Sequence, residues 1–227
     1  MKGRLIGALW IVLALAVSYF TFDGSGFAAL FICSLIICAL EIVAISGCQP
    51  HRMKPHACKP LGAWLMQLYV VCFASVACLM LTKEQILLVV IVCSLSDVGA
   101  FTFGKLIGKH KAKFVSAISP NKTIEGYIGG IVCTALAIPL CPILGINYSV
   151  GLIIYLIIGG VVAEIGDLLG SATKRQLDIK DSGDGIRNYP LLNIIEYPLR
   201  GHGGYLDRLD SVSLSILFFS IIVVPQH

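Results

Sequence analysis

Charged side chains are scarce in this sequence, and their scarcity excludes an ordinary soluble domain. Asp, Glu, Lys and Arg make up 13% of the 227 residues, whereas a soluble domain carries about 25%. The mean hydropathy is +0.88. A chain this apolar has too few polar side chains to cover a surface that faces water. In a bilayer, by contrast, helices can expose apolar side chains to lipid. The composition therefore predicts an integral membrane protein.

Basic patches and paired cysteines are also lacking. The net charge is only +4 and the charges lie between apolar runs, so no nucleic-acid partner is expected. The nine cysteines show no disulfide spacing and are interpreted as small buried hydrophobes. One loop holds Cys48, His51, His56 and Cys58 in a spacing unlike standard zinc sites. A plain polar loop is favoured there over a metal site.

Long apolar runs, in contrast, are abundant. Crossing the hydrocarbon takes about 20 mostly apolar residues, and seven stretches qualify. They predict an all-α, polytopic membrane helix bundle of about seven transmembrane spans, with residues 1–227 as a single integral membrane domain. The first run is interpreted as an uncleaved span, because no small-residue cleavage site follows it. The predicted spans are 5–22, 27–46, 61–81, 85–103, 124–146, 150–171 and 209–224.

The distribution of basic residues orients these spans. Cytoplasmic loops collect Lys and Arg. With the N-terminus inside, the inner segments hold 16 of the 17 basic residues, and Lys83 alone falls outside. The bias supports the seven-span count and predicts two long cytoplasmic loops, 104–123 and 172–208, where soluble chemistry would be assembled.

Acidic side chains inside the predicted spans indicate a functional site. Each costs about 2.5–3.5 kcal/mol on insertion scales, so such groups normally face a protein interior or a wet cavity. Five of the six lie near the cytoplasmic ends of their spans. For any one acid, a salt bridge to a nearby Lys or Arg is an equally good explanation, but it explains the set less well. The six are Glu41, Asp97, Glu125, Glu164, Asp167 and Asp210.

The spacing of these acids suits a cation and phosphates. Glu164 and Asp167 are three apart and share a helix face, and Asp207 and Asp210 have the same spacing. Mg²⁺ is typically bound by one or two carboxylates together with substrate phosphates, while Lys and Arg suit phosphate oxygens. The pattern therefore predicts a Mg²⁺-dependent phosphate site, with a second cation left open.

Glycines accompany the acids. The pair Gly203 and Gly204 lets backbone approach a phosphate closely, although such a pair alone is weak evidence. Two further pairs are interpreted instead as small-residue contacts between helices. These are Gly104 with Gly108, and Gly166 with Gly170.

Four segments together resemble a known family. Residues 171–183 read Ser-Ala-Thr-Lys-Arg-Gln-Leu-Asp-Ile-Lys-Asp-Ser-Gly, and residues 202–211 read His-Gly-Gly-Tyr-Leu-Asp-Arg-Leu-Asp-Ser. Residues 96–104 and 118–126 add Ser-Asp-Val-Gly-Ala-Phe-Thr-Phe-Gly and Ile-Ser-Pro-Asn-Lys-Thr-Ile-Glu-Gly. Over about 90–215, the sequence resembles the phosphatidate cytidylyltransferases, or CDP-diacylglycerol synthases.

The sequence departs from that family between its two main motif halves. Residues 184–201 form an insertion where the family has a handful of residues, and Arg200 stands where a proline is usual. A short helix or a lid is expected there. The insertion also leaves open an inactive relative.

The resemblance implies a reaction and a site. CTP and phosphatidate would give CDP-diacylglycerol and pyrophosphate for phospholipid biosynthesis, at the cytoplasmic side of the cell inner membrane. Membrane lipids are further expected partners, and a homodimer is one expected assembly. A CTP-dependent polyprenol kinase-like enzyme and a membrane transporter are the alternatives.

The resemblance also assigns roles to residues. His202 would orient a phosphate, shuttle a proton or act structurally, and Asp181 would bind nucleotide or pair with Lys180. The expected catalytic residues are Asp167, Lys174, Arg175, Lys180, Asp181, His202 and Arg208. The expected substrate-binding residues are Lys122, Thr123, Glu125, Ser171, Gly203 and Gly204, and the expected Mg²⁺ ligands are Asp167, Asp207, Asp210 and, more weakly, Asp97.

Overall fold

The fold is a helix bundle. The computed structural model describes residues 16–48, 62–116, 118–147, 150–177, 179, 182 and 206–223. Over those residues it contains helices and no named strand, which confirms the predicted all-α class. The α-helices are α1 (16–21), α2 (Gly24–Cys48), α3 (Ala63–Ala77), α4 (Lys83–Leu106), α5 (Ile124–Cys133), α6 (Val150–Gln176) and α7 (Leu206–Val223).

Several of these helices can cross a bilayer. Within the described ranges, four are long and apolar enough, namely Gly24–Ile45, Ala63–Met80, Lys83–Leu106 and Val150–Gln176. A shorter apolar helix covers Ile124–Leu140. The 18 residues of α7 begin with charged Asp207, Arg208 and Asp210. The chain is therefore a membrane protein, while the count of seven spans stays a prediction.

Helix ends differ from the predicted span ends, and the differences relocate site residues. α6 continues through Gln176, so Lys174 lies on a helix and not in the predicted loop 172–208. The apolar pattern stops earlier because Lys, Arg and Gln are polar, yet these residues are good helix formers. α5 changes to a 3₁₀ helix at Thr134–Leu140, which contains Pro139, a residue that cannot donate a backbone hydrogen bond.

Glycines set the helix packing. α4 packs closely on α5, and α6 packs closely on α7. A Cβ on Gly126 of α5 would lie 2.9 Å from the carbonyl oxygen of Ala100 and 3.4 Å from Gly104 Cα. A Cβ on Gly166 of α6 would lie 2.7 Å from Ser211 Cα. These approaches confirm the predicted small-residue contacts at Gly104 and Gly166. The prediction was wrong for Gly108, which lies beyond the end of α4 at Leu106, where a Cβ would lie 2.8 Å from Thr123 Oγ1 in the loop.

The loop between α4 and α5 folds back on itself. An antiparallel bridge joins Lys111 to Thr123. The Ala112 N–H donates to the Lys122 carbonyl at 3.1 Å, and the Ile124 N–H donates to the His110 carbonyl at 3.0 Å. This pairing fixes Lys122 at the entrance to α5.

Candidate functional site

Lys122 joins this loop to the acidic face of α6. Its Nζ lies 2.7 Å from Asp167 Oδ2 and 3.0 Å from Glu164 Oε2. Glu164 is buried, and its Oε1 accepts a hydrogen bond from Ser96 Oγ on α4 at 3.3 Å. The predicted helix face of Glu164 and Asp167 therefore exists, and one lysine bridges both carboxylates.

The charge of Lys122 is stabilised by this environment. Burial acts to lower the pKa of Lys122, but Asp167 and Glu164 outweigh burial and raise that pKa above its usual 10.5. A raised pKa in the folded state means that the stabilisation is complete below 10.5 and is lost as the pH rises through the higher value. Lys122 is therefore a fixed cation at neutral pH.

A second lysine joins α6 to α7. Lys174 Nζ forms a salt bridge with Asp207 Oδ1. The other oxygen of Asp207 accepts hydrogen bonds from both the backbone N–H and the hydroxyl of Ser182, each at 2.9 Å. Lys174 also interacts electrostatically with Asp210 and Asp167. This lysine therefore ties the last turn of α6 to Asp207 at the start of α7.

Asp210 lies buried at the contact between α6 and α7. Its side chain is 4% exposed and packs where Gly170 has no side chain, because a Cβ there would overlap the carboxyl group. Asp210 interacts electrostatically with Asp167, Lys174 and Asp97. The structure thus brings Asp97, Asp167 and Asp210 to one region at one end of the bundle.

Two other charged groups of this region, Asp97 and Arg208, are exposed, unlike the buried Glu164 and Asp210. Asp97 is solvent-accessible on α4 and interacts electrostatically with Asp167, Lys122 and Arg208. Arg208 is exposed, while Ser171 is half-buried on α6. The region therefore combines buried carboxylates with accessible groups of both signs, an arrangement suited to a polyanion that arrives with a cation.

Three predicted site residues have structural partners. Thr123 caps α5 by accepting the Gly126 N–H at 3.1 Å, and Arg175 Nε donates to the Ile118 carbonyl at 3.3 Å. Glu125 pairs with the ring of His110 and accepts the His110 backbone N–H at 3.2 Å. These contacts hold the 107–123 loop, and substrate contact by the three side chains stays a prediction.

Other predicted residues cannot be placed. Lys180, Asp181, His202, Gly203 and Gly204 lie outside the described residues, as do the 184–201 insertion and His51, His56 and Cys58. Their roles stay predictions.

The predicted Mg²⁺ ligands can be tested by their chemistry. Across the described ranges, no three His, Cys, Asp or Glu side chains are grouped closely enough to hold a metal by themselves. Mg²⁺ usually keeps several waters and takes one or two carboxylates plus substrate phosphates, so a preformed cage is not required. Asp167 and Asp210 are hard oxygen donors and fit that mode, with Asp167 Oδ2 paired to Lys122 Nζ and Asp210 Oδ1 accepting the Ser211 N–H. Both oxygens of Asp207 have partners. The ligand roles of all these aspartates stay predictions.

Two residues of the site were not assigned from sequence. Ser96 binds Glu164, and Ser182 binds Asp207. Ser96 is next to Asp97 and Ser182 is next to Asp181, so each serine lies in a motif that was already assigned to the site. The partners of the two serines, however, lie on helices that are distant in sequence, and sequence spacing does not predict such pairs.

Fold and site together define a polytopic helical membrane protein with a lysine-bridged carboxylate cluster. The Cytidylyltransferase family model matches residues 2–224. The chain belongs to the cytidylyltransferase family, which confirms the resemblance found in its motifs.

Curated relatives agree with this family. The chain is 39% identical over 144 residues to the phosphatidate cytidylyltransferase of Staphylococcus saprophyticus, covering 62% of this chain and 49% of that protein. The proteins of the same name from Staphylococcus haemolyticus and Staphylococcus aureus are each 39% identical over 146 residues, covering 63% of this chain and 50% of each relative. The chain therefore spans about half the length of the curated relatives it matches. No solved structure matches it significantly.

Proposed function

We propose that this protein transfers CMP from CTP to phosphatidate, giving CDP-diacylglycerol and pyrophosphate. The observation that carries the proposal is the meeting of Asp97, Asp167 and Asp210 with Lys122 and Lys174 at one end of the bundle. The names of the relatives, phosphatidate cytidylyltransferase, support the choice of substrates.

The two lysines are suited to bind phosphate oxygens. Lys122 reaches Asp167 of α6 from the 107–123 loop, and Lys174 lies in the last turn of α6. Both form ion pairs that hold the ammonium groups near Asp167 and Asp210. A lysine acts toward phosphate as a compact point charge, and its carboxylate partners restrict its position. The lysines would orient the triphosphate and neutralise charge that develops on it.

The carboxylates are suited to hold a divalent cation with the nucleotide. Asp167 and Asp210 are the proposed ligands, with Asp97 as a third donor. When bound by these residues, Mg²⁺ would supply positive charge that stabilises the leaving pyrophosphate. A second cation stays a prediction.

The reaction needs positioning more than covalent chemistry by the protein. An oxygen of the lipid phosphate attacks the α-phosphorus of CTP. The new oxygen–phosphorus bond forms as the bond from the α-phosphorus to the oxygen bridging toward the β-phosphorus breaks, and pyrophosphate leaves with that electron pair. Lys122 and Lys174 would hold the two anionic reactants together against their repulsion.

The test is product analysis with purified protein, Mg²⁺ and phosphatidate. CTP labelled in its α-phosphate should transfer label to lipid, with one pyrophosphate released per lipid product. CTP labelled in its γ-phosphate should transfer none. Transfer of the γ-label would identify a kinase, and no transfer of either label would contradict the proposal.

The proposed site lies on the cytoplasmic side of the cell inner membrane. The bias of Lys and Arg toward the inner loops supports this orientation. A tag at the N-terminus should be protected from external protease, and a tag at the C-terminus should be cleaved. A protected C-terminal tag would contradict the seven-span topology. Assembly as a homodimer stays a prediction.

A further inference from the structure

Glu41 lies in the apolar helix α2, far in sequence from the motifs of the site. Its side chain is 0% exposed, and its Oε2 accepts a hydrogen bond from the Leu206 N–H at 2.8 Å. Leu206 is the first residue of α7 and directly precedes Asp207. This contact therefore joins α2 to the helix that carries Asp207 and Asp210.

The chemistry of the contact is that of a helix cap supplied from another helix. The first N–H groups of a helix have no partner within it, and the N-terminus carries a partial positive charge that favours a carboxylate. A buried carboxylate within a membrane span is costly without such a partner. The partner that stabilises the Glu41 carboxylate is therefore the N-terminus of α7, and not a group of its own helix α2.

Neighbouring contacts show that the first half of the chain also holds α6. The Trp64 N–H at the start of α3 donates to Gln176 Oε1 at 3.1 Å. The Thr173 hydroxyl donates to the Ala63 carbonyl at 3.1 Å. Together with the Glu41 bond, these bonds tie α2 to the start of α7 and α3 to the end of α6.

We propose that Glu41 is a positioning residue for the nucleotide site. By fixing the first turn of α7, it sets the positions of Asp207 and Asp210 relative to Lys174 and Gly170. The inference rests on the proposed function for the identity of the ligand, MgCTP, whereas the Glu41 contact itself can be measured without activity.

The experiment compares Glu41→Leu and Glu41→Gln with matched changes at Glu84. Glu84 lies in the first turn of α4 and has no described contact with α7. Amide hydrogen exchange of residues 206–210 reports the cap, and steady-state kinetics report KM for MgCTP, KM for phosphatidate and kcat. Loss of a cap of this kind corresponds to about tenfold in an equilibrium constant.

Glu41→Leu should speed exchange at 206–210 and raise KM for MgCTP about tenfold, with KM for phosphatidate unchanged. Glu41→Gln keeps an acceptor oxygen and should show a smaller rise of about threefold. Both Glu84 variants should match the wild type. If Glu41→Leu does not fold, Glu41→Gln carries the test by the same readouts.

Unchanged exchange in the Glu41 variants would overturn the inference. Faster exchange with an unchanged KM for MgCTP would reduce Glu41 to a structural cap and would overturn its positioning role. A wild-type protein that does not turn over CTP would instead contradict the proposed function. In that case, exchange at 206–210 and direct MgCTP binding would still decide the role of Glu41.

Discussion

Two helix pairs in this bundle are packed through glycine, but the glycines serve different neighbours. Between α4 and α5, a Cβ on Gly129 would overlap the side chain of Phe103, and one on Gly99 would lie 2.7 Å from Cys133 Cβ. Between α6 and α7, a Cβ on Gly170 would overlap the carboxyl group of Asp210. At Gly99 and Gly129 the missing side chain makes room for apolar packing, whereas at Gly170 it makes room for a buried carboxylate. Gly130 of α5 resembles Gly170, because a Cβ there would lie 2.5 Å from Oε1 of the buried Glu164.

This difference predicts different effects of substitutions at the two sets of glycines. Close apolar packing needs no explanation beyond stability, whereas a buried carboxylate is costly unless it is paired or binds a cation. Asp210 is held against Gly170 and near Lys174 and Asp167. We therefore expect changes at Gly170 to alter catalysis, and changes at Gly99 and Gly129, which face apolar side chains, to alter stability alone.

Removing a carboxylate at the α6–α7 interface should have the largest effect. Asp210→Asn keeps the shape of the side chain but removes its charge, and we expect a loss in kcat/KM of about 100-fold or more. Asp167→Asn should behave similarly. The assay is Mg²⁺-dependent transfer of CMP to phosphatidate, with Glu84→Gln as the control. Full activity in both Asp variants would remove them as ligands.

Removing Lys122 should have the next largest effect. Lys122→Met leaves Glu164 and Asp167 without their shared cation, and we expect a loss in kcat/KM of about 10- to 100-fold, since charged hydrogen bonds contribute about 1.5–3 kcal/mol. Lys122→Arg should retain part of the activity. Because the pKa of Lys122 is raised above its usual 10.5, the wild-type ammonium group should stay charged up to about pH 9.

Alanine at Gly170 and at Gly129 should have different consequences. Gly170→Ala places a methyl group against Asp210, and we expect about a tenfold rise in KM for MgCTP from overpacking of about 1–3 kcal/mol. Gly129→Ala should lower thermal stability by a similar free energy at unchanged KM. Gly24→Ala, where no described atom lies within 4 Å of the added Cβ, is the control. Equal kinetic losses at positions 129 and 170 would contradict a special role of Gly170 beside Asp210.

The loop that carries Lys122 should be the least sensitive part. His110→Ala removes the pairing of the imidazole with Glu125, but the His110 backbone N–H still donates to that carboxylate at 3.2 Å. The His110 side chain is 75% exposed. We expect less than about a twofold change in kcat/KM, because exposed ion pairs contribute about 0–1 kcal/mol. A tenfold loss would mean that the loop is less firmly held than its backbone pairing indicates.

Sequence predicted the helices well and the side-chain partners poorly. Apolar runs located the helices because a bilayer requires about 20 apolar residues, and the spacing of Glu164 and Asp167 placed both on one helix face. The helix ends were less accurate because α6 and α7 extend into polar segments. Lys122 with Asp167, Ser182 with Asp207, and Glu41 with Leu206 join residues 25 to 165 positions apart, and no local pattern encodes such pairs.

We claim that Asp167 and Asp210 belong to one cation–nucleotide site, and Mn²⁺ binding can show whether they do. Mn²⁺ can stand in for Mg²⁺ at carboxylate and phosphate oxygens, and free and bound Mn²⁺ differ in their paramagnetic resonance signal. With CTP present, the wild-type protein should bind Mn²⁺, and Asp167→Asn and Asp210→Asn should each lose most of that binding. Wild-type Mn²⁺ and CTP binding in both variants would contradict the claim.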